Sequence, residues 1–209
     1  MRAALPPRYA ERAGAQPARL SFPAMRLFVA LDLEPALARD LGVALAPYRA
    51  RAPRARWVRV ENFHLTLKFI GSWEPRREDD LVASLAAVEA EAFPLELVGL
   101  GVFPNPRQPR QLWSGVAEPG PVEAMAAAVE KACAACGIAP EARPFTPHLT
   151  LARAAAPTAL RPLAALLSRE APRWGREVVR AFHLYQSQTL PRGPVYSRRA
   201  SFPLRPAAT

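Results

Sequence analysis

The chain has 209 residues and a mass of 22.8 kDa, half of them apolar, with a mean hydropathy of −0.04, which suits one substantial core and excludes wholesale disorder. Three histidines and two cysteines are too few for a disulfide framework or a zinc-finger array, and no apolar run approaches the roughly 18 residues that cross a bilayer. A net charge of +10 favours a polyanionic partner, although the bias is almost wholly arginine, with Lys68 and Lys131 the sole lysines.

Residues 1–24 hold four prolines, four arginines and one glutamate without apolar periodicity. They lack the continuous apolar stretch of about 7–15 residues that marks a secretory signal. A flexible extension is expected there, ahead of a single domain over residues 25–209. With no signal and so few cysteines, the expected compartment is the cytoplasm.

Residues 26–33 read as a strand closed by Glu34-Pro35, and Leu37, Leu41, Leu45 and Tyr48 then recur at helical spacing. A basic stretch interrupted by Pro53 leads to residues 64–71, a strand that ends on glycine. Glu78, Asp79 and Asp80 stand where a helix N-terminus favours negative charge, and Leu81, Leu85 and Val88 give that helix its apolar stripe. Residues 95–103 form a further strand. The order then repeats. Gln111–Val116 is a strand, and Val122, Met125, Val129, Cys133 and Cys136 mark a helix. Residues 147–151 are a strand, Leu160, Leu163 and Leu167 mark a helix, and residues 178–186 are a strand. Equivalent strands lie 85, 84 and 82 residues apart, a spacing too long for a solenoid unit that indicates a duplicated half-domain. The expected fold is α+β, two similar lobes of strand-helix-strand-helix-strand with the active cleft between them. A last strand over residues 196–204 has no counterpart in the repeat and is expected to pair back onto a lobe.

His-Leu-Thr-Leu occurs twice, at 64–67 and at 148–151. Side chains alternate across a strand, so His64 and Thr66 share one face, His148 and Thr150 another, and the leucines turn to the core. Across a pseudo-two-fold axis the two pairs would converge on the cleft. Two imidazoles titrating near neutrality can act as acid and base on opposite sides of one phosphorus, and threonine hydroxyls can donate to its non-bridging oxygens. No acidic cluster accompanies them, so a two-metal mechanism lacks ligands. Two ordinary half-buried strand histidines are the plain alternative, but a duplicated polar pair is costly to bury without a function.

The segments at 26–33, 57–71 and 145–153, with Phe-His-Leu-Tyr-Gln-Ser at 182–187 and Gly-Pro-Val-Tyr at 193–196, extend the pattern. From Met25 to Leu204 the chain resembles the RNA 2′,3′-cyclic phosphodiesterases, once called 2′-5′ RNA ligases, of the two-histidine phosphoesterase superfamily. The resemblance implies opening of a terminal 2′,3′-cyclic phosphate to a 2′-phosphate, without metal or cofactor. It implies His64 as proton donor to the departing O3′, His148 as the acceptor that activates water, and Thr66 and Thr150 as phosphate ligands. Arg153 matches a family phosphate contact, although strict alternation turns it away from His148's face. The implied partners are RNA 3′ ends bearing a cyclic phosphate, tRNA fragments among them, with the protein a monomer off the membrane. Reversible 2′-5′ ligation is left open. The competing readings are a phosphodiesterase for a small cyclic nucleotide-type phosphate and a non-catalytic RNA-binding module.

Other features carry less. Cys133 and Cys136 lie on an apolar helix stripe and read as packing. His183 has no threonine two residues on and reads as surface or structural. Gly99-Leu-Gly101 is not followed by a helix start, so the dinucleotide fingerprint fails, and no phosphate-binding Gly-Lys-Ser/Thr loop occurs. Arg51, Arg54, Arg56 and Arg59 around Trp57 are either a solvated basic loop or a phosphate track with a stacking aromatic.

Overall fold

A computed structural model describes residues 24–167, 171–191 and 193–207; apart from Ala24, the extension expected over residues 1–24 lies outside them. The chain runs through β1 (Met25–Asp32), α1 (Pro35–Ala44), α2 (Ala46–Arg51), the short β2 (Arg56–Trp57), β3 (His64–Trp73), α3 (Glu78–Ala86) and β4 (Phe93–Phe103). It continues through β5 (Gln111–Val116), α4 (Pro119–Ala135), β6 (Leu149–Arg153), α5 (Arg161–Ala164), β7 (Arg173–Val179), β8 (Ala181–Leu190) and β9 (Gly193–Pro203).

Helix ends follow their prolines and charges. The pattern from Leu37 to Tyr48 is two helices, because Pro47 sits in the first turn of α2 and cannot continue α1. The acidic trio Glu78, Asp79 and Asp80 fills the first turn of α3, as expected. The α4 stripe buries Val122, Met125, Ala126, Val129 and Cys133. The helix expected through Leu167 is a single turn, α5, with Pro162 near its start and Leu163 buried.

All strands join one antiparallel sheet in the order β7-β4-β5-β6-β3-β1-β8-β9, with β2 added on β6. The order is symmetric about the β6/β3 seam, with β3, β1, β8 and β9 on one side matching β6, β5, β4 and β7 on the other. Two expectations need correction. Residues 178–186 are not one strand: β7 ends at Val179 on β4, and β8 starts at Ala181 on β1, with only Arg180 between them. The third strand of each repeat is therefore exchanged between lobes, β4 pairing with β5 and β8 with β1. The final strand, β9, runs along β8 and holds in its lobe the place β7 holds in the other, so it does have a counterpart.

One apolar core runs from Met25 to Leu204 and takes in both halves. Leu65, Leu67, Leu149 and Leu151 of the two motifs are all at most 4% exposed, each burial stabilising by on the order of 2 kcal/mol. Their burial fixes which face each motif turns outward.

Candidate active site

The half-sheets meet where Leu65 pairs with Leu149. Antiparallel pairing about these residues sets His64 across from Thr150 and Thr66 across from His148. The two motifs thus lie crosswise at the seam. His148 itself precedes β6 by one residue instead of standing inside a strand.

Each imidazole is held in the same way. His64 Nδ1 lies 2.8 Å from the Asn62 carbonyl oxygen, and His148 Nδ1 lies 2.7 Å from that of Thr146. A carbonyl only accepts, so each Nδ1 carries a proton and donates, leaving Nε2 as the lone pair of the neutral ring. Aromatic side chains wall both rings: Phe28 and Tyr196 centre 5.0 and 5.2 Å from His64, and Phe103 and Trp113 centre 5.1 and 6.0 Å from His148.

Arg153 is the clearest departure from simple alternation. In the β5/β6 pairing, Leu112 faces Ala152 while Trp113 faces Thr150, so Leu151 is an extra, bulged residue. A bulge reverses the alternation beyond it, which brings Arg153 onto the face of His148 and Thr150. The first lobe has the matching bulge at Leu67, which brings Phe69 onto the face of His64 and Thr66 and turns Lys68 inward. By register, Phe69 is equivalent to Arg153 and Phe28 to Gln111.

Gln111, which sequence reasoning missed, joins the second motif together. Its amide nitrogen lies 3.1 Å from His148 Nε2 and 2.8 Å from Thr150 Oγ1, and its oxygen accepts from Arg153 Nη1 at 2.9 Å. Beside His64, Asp32 accepts the Tyr185 hydroxyl at 2.6 Å and an Arg198 guanidinium bond, with His183 Nε2 3.7 Å away. His183 also sits 3.0 Å from Ser201 Oγ through Nδ1 and is buried, which fits its structural reading.

Both motif histidines titrate below the ordinary imidazole value, chiefly because burial disfavours the charged ring. For His64 the Asn62 carbonyl and Asp32 pull upward, while Arg153 and His148 push down. For His148 the Thr146 carbonyl pulls upward and Arg153 pushes down. One guanidinium therefore acts on both rings. Two hollows flank the seam: His64, Phe28, Asp32 and Tyr196 line one of about 610 Å³, and Thr66, His148 and Arg153 line one of about 1140 Å³.

Trp57 and its arginines line neither hollow. The Trp57 indole N–H donates to the Ala52 carbonyl at 3.1 Å and its ring lies under Arg49, so the phosphate-track reading loses its stacking aromatic. Burial pushes the Cys133 thiol up to about 12, in keeping with packing. Among the described residues, no group of three or more histidine, cysteine or carboxylate side chains could hold a metal ion. No helix among them is long and apolar enough to cross a membrane.

A Cβ added at Gly101 would lie 2.1 Å from the Trp113 ring that flanks His148. Gly101→Ala is expected to displace the indole, destabilise the fold by about 1–3 kcal/mol, and lower kcat. Thermal unfolding and turnover measured side by side test this; a variant with wild-type melting and rate would contradict the packing described.

Residues 34–189 match the sequence model of the 2′-5′ RNA ligase superfamily. A Thermus thermophilus protein named RNA 2′,3′-cyclic phosphodiesterase is 35% identical over 193 residues, which are 87% of this chain and 91% of that protein. A Geobacillus stearothermophilus protein of the same name is 39% identical over 103 residues, but these are 48% of this chain and only 33% of that protein. The crystal structure of E. coli LigT complexed with 3′-AMP superposes with a TM-score of 0.71 at 27% identity, covering 87% of this chain and 98% of that one.

Proposed function

Because the chain belongs to the 2′-5′ RNA ligase superfamily, we propose that it opens the terminal 2′,3′-cyclic phosphate of RNA to a 2′-phosphate by acid–base catalysis. The observation that carries this reading is the pair of imidazoles held alike by backbone carbonyls on either side of one seam, with Arg153 acting on both.

The duplication has diverged in a way that orients the substrate. Phe28 and Phe69 stand in the first lobe where Gln111 and Arg153 stand in the second. A nucleobase stacks on aromatic faces, whereas phosphate oxygens seek donors. Aromatic rings flank both histidines, but the donors Gln111 and Arg153 stand beside His148. The phosphate oxygens are therefore placed toward them and the nucleoside on the His64 side, where Phe28 and Tyr196 line the hollow. Both ribose oxygens on the phosphorus belong to that nucleoside; as the family resemblance implies, O3′ is the one that leaves toward His64, which donates its proton. Water attacks in line from the opposite side, where His148 Nε2 takes a proton. Thr66, Thr150 and Arg153 bind the non-bridging oxygens as charge grows on them. Asp32 offsets part of the burial that disfavours the charged form of His64. RNA ends of this kind, tRNA fragments included, are the proposed substrates of a cytoplasmic monomer.

The productive free enzyme has His64 charged and His148 neutral. Both groups titrate below 6.5, so this state is most populated in mildly acidic solution. A bell-shaped profile of kcat/KM against pH is expected, with its maximum below the ordinary imidazole value near 6.5. A maximum on the alkaline side would contradict it.

The test of the function is incubation with an oligonucleotide ending in a 2′,3′-cyclic phosphate, in EDTA. Turnover of that end with the rest of the strand intact is expected, and faster than turnover of a cyclic mononucleotide. Preference for the mononucleotide would favour the small-molecule reading. Binding of the oligonucleotide without turnover would leave the protein a binding module.

A further inference from the structure

Gln111 opens β5 opposite Arg153, and its amide orientation is set by its neighbours. A guanidinium offers no acceptor, so the amide oxygen faces Arg153, at 2.9 Å, and the NH2 group faces Thr150 and His148. His148 Nδ1 is already committed as donor to the Thr146 carbonyl. The neutral ring thus offers Gln111 only its Nε2 lone pair, 3.1 Å away. A protonated ring would aim Nε2–H at the Gln111 N–H, donor against donor. Relieving that clash turns the amide away and gives up its bonds to Thr150 and Arg153. At the equivalent position beside His64 stands Phe28, which has no such donor.

We infer that Gln111 is a positioning residue that keeps His148 neutral in the free enzyme and so makes the two duplicated histidines chemically unequal. The inference rests on the reading of His148 as proton acceptor. Other charged or titratable groups around His148 are Arg153 from β6, His64 from β3, and Arg110 just before β5. Glu123 and Glu130 of α4, and Glu141 and Arg143 of the segment after it, line the same hollow. Glu130 is bound to Lys68. The side chain that hydrogen-bonds to Nε2 is that of Gln111.

The chain has three histidines, so each ring resonance can be followed by NMR and assigned with single His→Gln variants. Gln111→Ala admits water, which accepts from Nε2–H as readily as it donates to the lone pair. The His148 midpoint is expected to rise by about 0.5–1 pH unit in Gln111→Ala, with His183 unmoved. Gln111→Glu, which adds a facing charge, is expected to raise it further and shows that the side chain still reaches the ring. The acidic limb of kcat/KM on the cyclic-phosphate oligonucleotide should move by the same amount, so the loss well below the wild-type midpoint is about three- to tenfold greater than near pH 8. A His148 midpoint unchanged in Gln111→Ala overturns the inference. A midpoint that rises while the acidic limb stays in place overturns the link to catalysis, and with it His148 as base. If the wild type does not hydrolyse the substrate, the proposed function fails while the titration still decides the role of Gln111.

Discussion

Removing either motif histidine is expected to cost roughly 10²–10⁴-fold in kcat/KM on a cyclic-phosphate RNA, the usual range for a positioned acid or base. His64→Ala and His148→Ala should nevertheless respond differently to the leaving group. The ribose 3′-oxygen departs poorly without a proton, whereas p-nitrophenolate is stable as an anion. A nitrophenyl phosphodiester should therefore spare His64→Ala, whose missing proton is no longer needed. It should not spare His148→Ala, because water needs a base with either substrate. The comparison is a ratio of ratios, so general losses of stability or binding cancel. Rescue of His148→Ala instead of His64→Ala would reverse the roles.

The second large effect concerns stability. The Lys68 ammonium, 1% exposed, donates to Glu130 and to the Ala139 carbonyl, both at 2.8 Å, and Glu130 also accepts the Glu141 backbone N–H at 3.2 Å. This cluster ties β3, which carries His64, to α4 and to the segment that leads into His148. Glu130→Leu strands a buried cation and is expected to destabilise the fold by about 3–5 kcal/mol. Lys68→Met leaves a carboxylate that is 30% exposed and can turn to water, so its loss should be smaller. Replacing both should recover much of the damage done by Glu130→Leu alone, as urea unfolding of the three variants would show. A double variant no more stable than Glu130→Leu would contradict this.

The same structural device explains what was legible in the sequence and what was not. Strand and helix order, the duplication and the His-x-Thr pairs follow from periodicity and repetition, which are local properties. The bulges at Leu67 and Leu151 are not. Strict alternation puts Lys68 in the cleft and Arg153 outside it, and one extra residue in each strand reverses both. The lobe exchange was equally hidden. Residues 178–186 keep strand character through Arg180, and nothing in that pattern tells which neighbour each half will pair with. Gln111 carries no local signal either. It emerges only when the repeats are aligned by hydrogen-bond register, which sets it against Phe28 instead of Arg26. Asp32 likewise reads as the polar end of a strand until β8 and β9 bring Tyr185, His183 and Arg198 to it.

The most direct measurement is the identity of the product isomer. If O3′ departs toward His64 while water enters from the His148 side, an oligonucleotide ending in a 2′,3′-cyclic phosphate must yield the 2′-phosphate. Phosphorus NMR separates the two monoesters. A product that is entirely the 2′-phosphate, and that no longer forms when both histidines are replaced, is the expected result. A 3′-phosphate would mean that O2′ is the leaving oxygen, and would contradict O3′ as the oxygen that His64 protonates.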